Sequence, residues 1–202
     1  MAIDLRAVLD SLPAFPRLAG PRIRLRGPRD DDTDALFALF SDARVMRYWS
    51  RAAMTEASEA AGLIVEIGER FEQREMINWV VAGRRDDIVV GTCTLFHFDA
   101  RHRRAEIGYA LRSELWGQGL ASEAVTLALD WGFATLDLHR IEADIDPRNA
   151  ASRRLLERLG FASEGLLRER FFVEGDATDS EIFGLLASDW RRGTRTRRGS
   201  PG

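Results

Sequence analysis

The sequence predicts an α+β fold with a mostly antiparallel sheet and one strand–helix–strand crossover near its middle. Three observations predict it. Strand-like runs at 76–82 and 88–98 are separated by Asp86-Asp87, and runs at 161–173 and 178–186 by Gly175-Asp176; turn signals between β-rich runs mark hairpins. A run at 103–112 is followed by a glycine turn, a helical stripe (Leu120, Ala124, Leu127, Ala128, Trp131) and another run at 140–145. That order suits a crossover. The length of 202 residues with 45% hydrophobic content suits one domain with its own core.

The elements follow in chain order. Pro13, Pro16 and Pro21 punctuate the start, so residues 1–20 read as an extension and 21–190 as the domain. Residues 22–26 alternate Arg with Ile23 and Leu25, a half-buried strand. Asp30–Asp32 suit a helix N-terminus, and Leu36, Phe37, Leu39 and Phe40 form the apolar face that follows. A second helix is expected over 55–73 with Thr55 as its cap. Another covers 149–159 and stops at Gly160. From Arg191 to Gly202, arginines mix with Gly, Ser, Thr and Pro without periodicity, which predicts a disordered tail.

Composition excludes several classes. All 29 basic residues are arginine, against 32 acids and a net charge of -3. This balance gives no general affinity for DNA, and the absence of lysine removes Schiff-base chemistry and the lysine-dependent phosphate loop. A GC-rich genome suffices to explain the arginine bias. The lone Cys93 precludes an internal disulfide and points to a reducing, cytoplasmic setting. It sits in an apolar run, which argues against a nucleophile. His97, His102 and His139 lack ligand-like spacing, so no metal is expected. The N-terminus carries Asp4 and Asp10 and no long apolar stretch, unlike a signal peptide. Nothing approaches the ~20 apolar residues of a membrane span.

The most informative segment is the turn Gly117-Gln118-Gly119-Leu120-Ala121 between the strand at 103–112 and its helix. Glycines let backbone approach a ligand, and the free N–H groups of a helix start attract anions. A tight turn without a ligand is the other reading. A dinucleotide fingerprint would need a third glycine and an earlier place in the chain.

These residues resemble the GCN5-related N-acetyltransferase (GNAT) superfamily. Its pyrophosphate motif, Arg/Gln-x-x-Gly-x-Gly/Ala, is matched with Trp116 in the first position, Gly119 as the glycine and Ala121 as the last small residue. The Trp-Gly-Gln-Gly form is similar to the RimJ/RimL group, which acetylates ribosomal-protein N-termini. The resemblance extends through Arg24-Leu25-Arg26, Val45-Met46-Arg47-Tyr48-Trp49, Glu106-Ile107-Gly108-Tyr109 and His139-Arg140-Ile141. It continues through Asn149-x-x-Ser152, Glu157-Arg158-Leu159-Gly160-Phe161, Glu164-Gly165 and Asp189-Trp190. It implies a GNAT fold of about seven strands flanked by helices, splayed at the strand that binds acetyl-CoA.

The resemblance also implies roles. Backbone N–H groups of Trp116, Gly117, Gln118, Gly119, Leu120 and Ala121 would hold the pyrophosphate, with Arg112 beside them. Arg153 or Arg154 would reach the 3′-phosphate through a guanidinium, or simply lie on a solvated helix face. A backbone N–H near Leu111 would receive the acetyl carbonyl. Glu106 is the candidate base through water; its alternatives are holding the cationic amine or pairing with Arg103 or Arg104. The family's thiolate-protonating tyrosine falls here on Leu156, which has no proton to give. Ser152 would instead hydrogen-bond the CoA sulfur, or serve only the local backbone. Asn149 would cap the helix or contact the pantetheine. Tyr48, Trp49, His97 and Asp99 are acceptor-site candidates.

The implied reaction is direct transfer of acetyl to a primary amine in a ternary complex. A protein N-terminal α-amine, such as that of a ribosomal protein, is the first expectation. A small amine (aminoglycoside, polyamine or amino-acid analogue) is the second, and a non-turnover acyl-CoA binder the third. Monomer and homodimer both remain open.

Overall fold

The computed structural model describes residues 4–173 and 175–198. Helix α1 (Leu5–Asp10) is capped by the Asp4 carboxylate and followed by β1 (Leu18–Ala19) and β2 (Ile23–Arg26). Next come α2 (Thr33–Phe40), α3 (Ala43–Met46), α4 (Ala57–Glu72), β3 (Met76–Gly83), β4 (Val89–Asp99) and β5 (Arg104–Leu111). Then α5 (Leu120–Ala134), β6 (Arg140–Ile145), α6 (Ala150–Leu159), β7 (Ala162–Val173), β8 (Asp176–Leu186) and α7 (Ala187–Arg198) complete the chain.

The described strands form one eight-stranded sheet in the order β1-β2-β3-β4-β5-β6-β8-β7. All neighbours are antiparallel except β5 and β6, which the α5 crossover joins in parallel. The extra strand relative to expectation is the two-residue β1, too short to show a period.

Alternation along the strands sorts the core onto two faces. Ile77, Trp79 and Val81 of β3 pack with α1, α5 and α6, while Val80 and Ala82 pack with α2, α3 and α4. The same alternation on β5 sends Ile107 to the first face and Ala110 to the second.

Three boundaries differ from the sequence expectation. Residues 4–20, expected as an extension, pack against the core. Leu5 and Leu9 are buried, Phe15 stacks on Phe71 at 4.0 Å, and the Trp79 indole donates to Pro16 O at 2.8 Å. Burying two leucines contributes about 2 kcal/mol each, enough to hold a helix of fewer than two turns in place. Helix α4 is capped by Glu56 with Glu59 as its reciprocal partner; Thr55 lies one residue outside and donates its N–H to Glu59 at 2.7 Å. Helix α7 continues to Arg198 through the segment expected to be disordered from 191. It is anchored where Trp190 donates to Asp130 at 2.9 Å and lies against Phe133. Residues 199–202 of that expected tail lie outside the described residues. Among the described residues no helix is long and apolar enough to cross a membrane.

Candidate active site

The site begins where the sheet comes apart. β5 and β6 pair only through Arg104↔Arg140, Ala105↔Ile141 and Glu106↔Glu142. Beyond Glu106, β5 follows β4 to Leu111 while β6 follows β8 to Ile145, so a wedge opens between them. The Arg112 N–H donates to Val90 O at 2.9 Å, which fixes the parity of the β4–β5 ladder. Bonded and non-bonded pairs alternate in such a ladder. The N–H groups of Tyr109 and Leu111 therefore point away from β4 and into the wedge. The Leu111 carbonyl, on the same side, accepts from the Trp116 indole at 2.8 Å.

Past the wedge the chain turns into α5. Gly117 and Gly119 have φ of 76° and 78°, a left-handed conformation that costs other residues roughly 1–2 kcal/mol. A Cβ on Gly117 would meet nothing within 4 Å, so this face of the turn is open. The turn thus presents backbone and the start of a 15-residue helix to an anion. That fits the pyrophosphate of acetyl-CoA, to which Trp116 through Ala121 would offer N–H groups. Beneath it, Arg22 donates to Gln118 O at 2.8 Å and pairs with Glu123 at 2.8 Å. Sequence reasoning missed Arg22, which places a guanidinium beside the turn from a distant part of the chain.

On the side of α3 the wedge opens into a cavity of about 1020 Å³. It brings together Tyr48, Trp49, His97, Glu106, Asn149 and Ser152. The Glu106 carboxylate lies 3.1 Å from His97 Nδ1, and His97 is turned toward it by a positive φ of 51° beside a register shift in β4. Trp49 packs edge-on against Phe40, and Arg51 lies over both rings.

Helix α6 enters from the other face. Its buried stripe is Ser152, Leu155, Leu156 and Leu159, so helical spacing turns Ser152 toward the sheet. Asn149 caps the helix by accepting the Ser152 N–H at 3.0 Å. The Ser152 hydroxyl is 2.6 Å from the Tyr109 hydroxyl, and burial pushes the Tyr109 phenol well above its ordinary pKa. Leu156 is fully buried.

Other candidates are held elsewhere. Asp99 lies outside the cavity lining: it closes the turn after β4, accepting the His102 N–H and facing its Nδ1, both at 2.9 Å. Arg112 pairs with Glu114 at 2.7 Å. Arg153 is bound to the buried Glu181, which also accepts from Ser163 at 2.6 Å. Arg154, by contrast, is exposed. Cys93 is buried and its thiol pushed up to about 12 by desolvation, so it is no nucleophile at neutral pH. Asp144, unsuspected from sequence, also lines the cavity. Burial raises its carboxyl and the charge of Glu106 adds to the rise, against a hydrogen bond from Ser180 and the charge of Arg170.

The arrangement matches known proteins. Residues 22–162 match the family described as "Acetyltransferase (GNAT) domain". The chain is 34% identical to "Uncharacterized N-acetyltransferase YoaA" of Bacillus subtilis (strain 168), covering 85% of this chain and 97% of that one. It is 30% identical to the spermidine N(1)-acetyltransferase of Escherichia coli (strain K12), covering 76% and 80%. The structure of Mycobacterium smegmatis RimJ in complex with CoA-disulfide superposes with a TM-score of 0.80 at 25% identity, covering 91% and 96%. With the divided sheet, the anion-ready turn and the family match falling on the same residues, the chain belongs to the GNAT family and is an N-acetyltransferase that uses acetyl-CoA.

Proposed function

We propose that the acceptor is the α-amine of a protein N-terminus, a ribosomal protein being the expected class, and that transfer is direct within a ternary complex. The observation that carries this reading is the mixed charge of the acceptor cavity. Its lining holds five carboxylates, Glu106 and Asp144 among them, but also four arginines: Arg47, Arg51, Arg148 and Arg170. Arg148 pairs with Asp146 at 2.5 Å and Arg170 with Asp144 at 3.4 Å. Such a wall carries almost no net charge, so it offers a polycation no strong electrostatic attraction. A peptide N-terminus presents one amine followed by carbonyl groups, which suit one carboxylate backed by guanidinium donors.

Each residue then has a stated task. Acetyl-CoA supplies an activated acyl group and a sulfur leaving group. The turn from Trp116 to Ala121 anchors the pyrophosphate, with Arg154 as the exposed cation for the 3′-phosphate. The Leu111 N–H faces the acetyl carbonyl. Glu106, steadied by His97, holds the incoming amine and takes its proton, directly or through water. A free α-amine has a pKa of ~8, so a strong base is not required. Ser152 donates to the departing sulfur.

An amine panel tests this reading. Peptides with free and blocked N-termini, spermidine and an aminoglycoside are each offered with acetyl-CoA, and CoA thiol release is measured. Fastest release with the free peptide, abolished by blocking, is expected. Preference for spermidine, in line with the 30% identical relative, would replace this reading with the small-amine one.

A further inference from the structure

We propose that Tyr109 is a positioning residue for acetyl transfer: it fixes the hydroxyl of Ser152 so that the Ser152 proton faces the departing CoA sulfur. This rests on the reading that Ser152 serves the sulfur.

A serine hydroxyl has one proton and two lone pairs, and its rotor points where its neighbours direct it. Near a helix start that proton ordinarily goes to local backbone. Here the Ser152 Oγ lies 2.6 Å from the Tyr109 hydroxyl, an ideal separation for two hydroxyls. One of them must donate. A phenol is a better donor than an aliphatic alcohol, and burial keeps this phenol protonated. Tyr109 therefore donates and Ser152 accepts, which leaves the Ser152 proton for another acceptor. Both residues line the cavity at the wedge, where the reacting sulfur would lie.

The position of each partner is independently fixed. Tyr109 is held on β5 opposite Cys93, and its N–H faces the same wedge as its neighbour Leu111. Ser152 is held by the buried stripe of α6 and by the Asn149 cap. The pair thus bridges the strand and the helix that flank the opening. Leu156, one turn further along α6, is buried and its side chain offers no proton. Tyr109 does not itself become a phenolate. The C–N bond forms, the C–S bond breaks with its electron pair on sulfur, and the Ser152 hydrogen bond stabilises that charge. The proton lost by the amine leaves by way of Glu106.

A double-mutant cycle with Tyr109→Phe and Ser152→Ala tests the proposal. CoA thiol release is followed with a free-amine peptide and with spermidine, on full-length protein. The expected result is a fall in kcat of about 5-fold for Tyr109→Phe, the worth of one neutral hydrogen bond, with the KM for acetyl-CoA unchanged. Ser152→Ala should fall at least as far, and the double variant no further than Ser152→Ala. Ser152→Thr, which keeps the hydroxyl, should retain sensitivity to Tyr109→Phe. Additive losses, or a change in KM without kcat, would overturn the role of Tyr109 while leaving Ser152 in place. A Ser152→Ala variant of unchanged kcat would overturn both. Matching melting temperatures for wild type and Tyr109→Phe exclude misfolding as the cause.

Discussion

Glu106 and Glu142 face each other as the last pair that joins β5 to β6, and the sheet divides immediately after them. Glu106 thereby stands at the apex of the wedge, where backbone held by pairing gives way to backbone that faces the opening. Glu142 is occupied by Arg104 at 2.9 Å and Arg140 at 2.7 Å. Glu106 has His97 at 3.1 Å and opens onto the cavity. Glu106→Gln should lower kcat/KM by roughly 100-fold, the lower range for losing a positioned proton acceptor. The affinity for acetyl-CoA, measured by calorimetry, should stay the same because the turn at Gly117 is untouched. A loss under threefold would remove Glu106 from proton transfer.

The glycine turn makes a contrasting prediction. Gly119→Ala places a Cβ 3.4 Å from the Arg22 guanidinium and holds a non-glycine residue at φ 78°. Strain of roughly 1–2 kcal/mol should weaken acetyl-CoA binding by about 10-fold if it is relieved by moving the turn. Gly117→Ala carries the same backbone cost with open space around its Cβ. Both should raise the KM for acetyl-CoA and leave the ratio of rates between acceptor amines unchanged. A change in acceptor preference would mean that the turn belongs to a different subsite.

Much of this was legible in the sequence, and the remainder fails for identifiable reasons. The strand, glycine turn and amphipathic helix around Gly119 are contiguous, so local pattern alone specifies them. Glu106 and Ser152 stand out by motif position, in Glu106-Ile107-Gly108-Tyr109 and Asn149-x-x-Ser152. The contact between Tyr109 and Ser152 spans 43 residues, and no periodicity encodes it. The same holds for Arg22 beneath the turn, 96 residues from Gln118. Helix α1 has six residues, too few for a period to declare itself, although Leu5 and Leu9 are spaced for one face. A carboxylate beside a strand end serves a ligand or a turn equally well, and Asp99 accepts the His102 N–H outside the cavity lining.

Arg153 and Arg154 are adjacent in sequence and differently placed, one bound to buried Glu181 and the other exposed. Arg153→Ala strips the buried Glu181 of its cation, leaving Ser163 as its donor. Losing a hydrogen bond to a charged group costs about 2 kcal/mol, so urea denaturation should show that loss while the KM for acetyl-CoA changes little. Arg154→Ala removes an exposed side chain. Its stability should stay within about 0.5 kcal/mol of wild type, and its KM for acetyl-CoA should rise, with a smaller rise for 3′-dephospho-acetyl-CoA. Equal effects of Arg154→Ala on both thioesters would exclude contact with the 3′-phosphate.

The cluster that ties β2 to the β3–β4 turn gives a prediction in pH. Arg26 forms two bonds to buried Asp32, at 2.7 and 2.8 Å, and reaches Asp87 at 3.1 Å. Burial alone would raise the Asp87 carboxyl. The hydrogen bond from Arg26 and the charges of Arg26, Arg29 and Arg24 outweigh it and hold Asp87 below the usual carboxylate range. An unfolded aspartate titrates at about 3.9. A folded-state pKa below that value stabilises the fold fully above about pH 4, and the contribution fades as pH falls through the folded value. Asp87→Asn carries no such dependence. It should be less stable than wild type at pH 7, and the gap in unfolding free energy should shrink steadily as the pH is lowered toward 3. A gap that stays constant across that range would mean that Asp87 contributes by hydrogen-bond geometry alone, with no part for its charge.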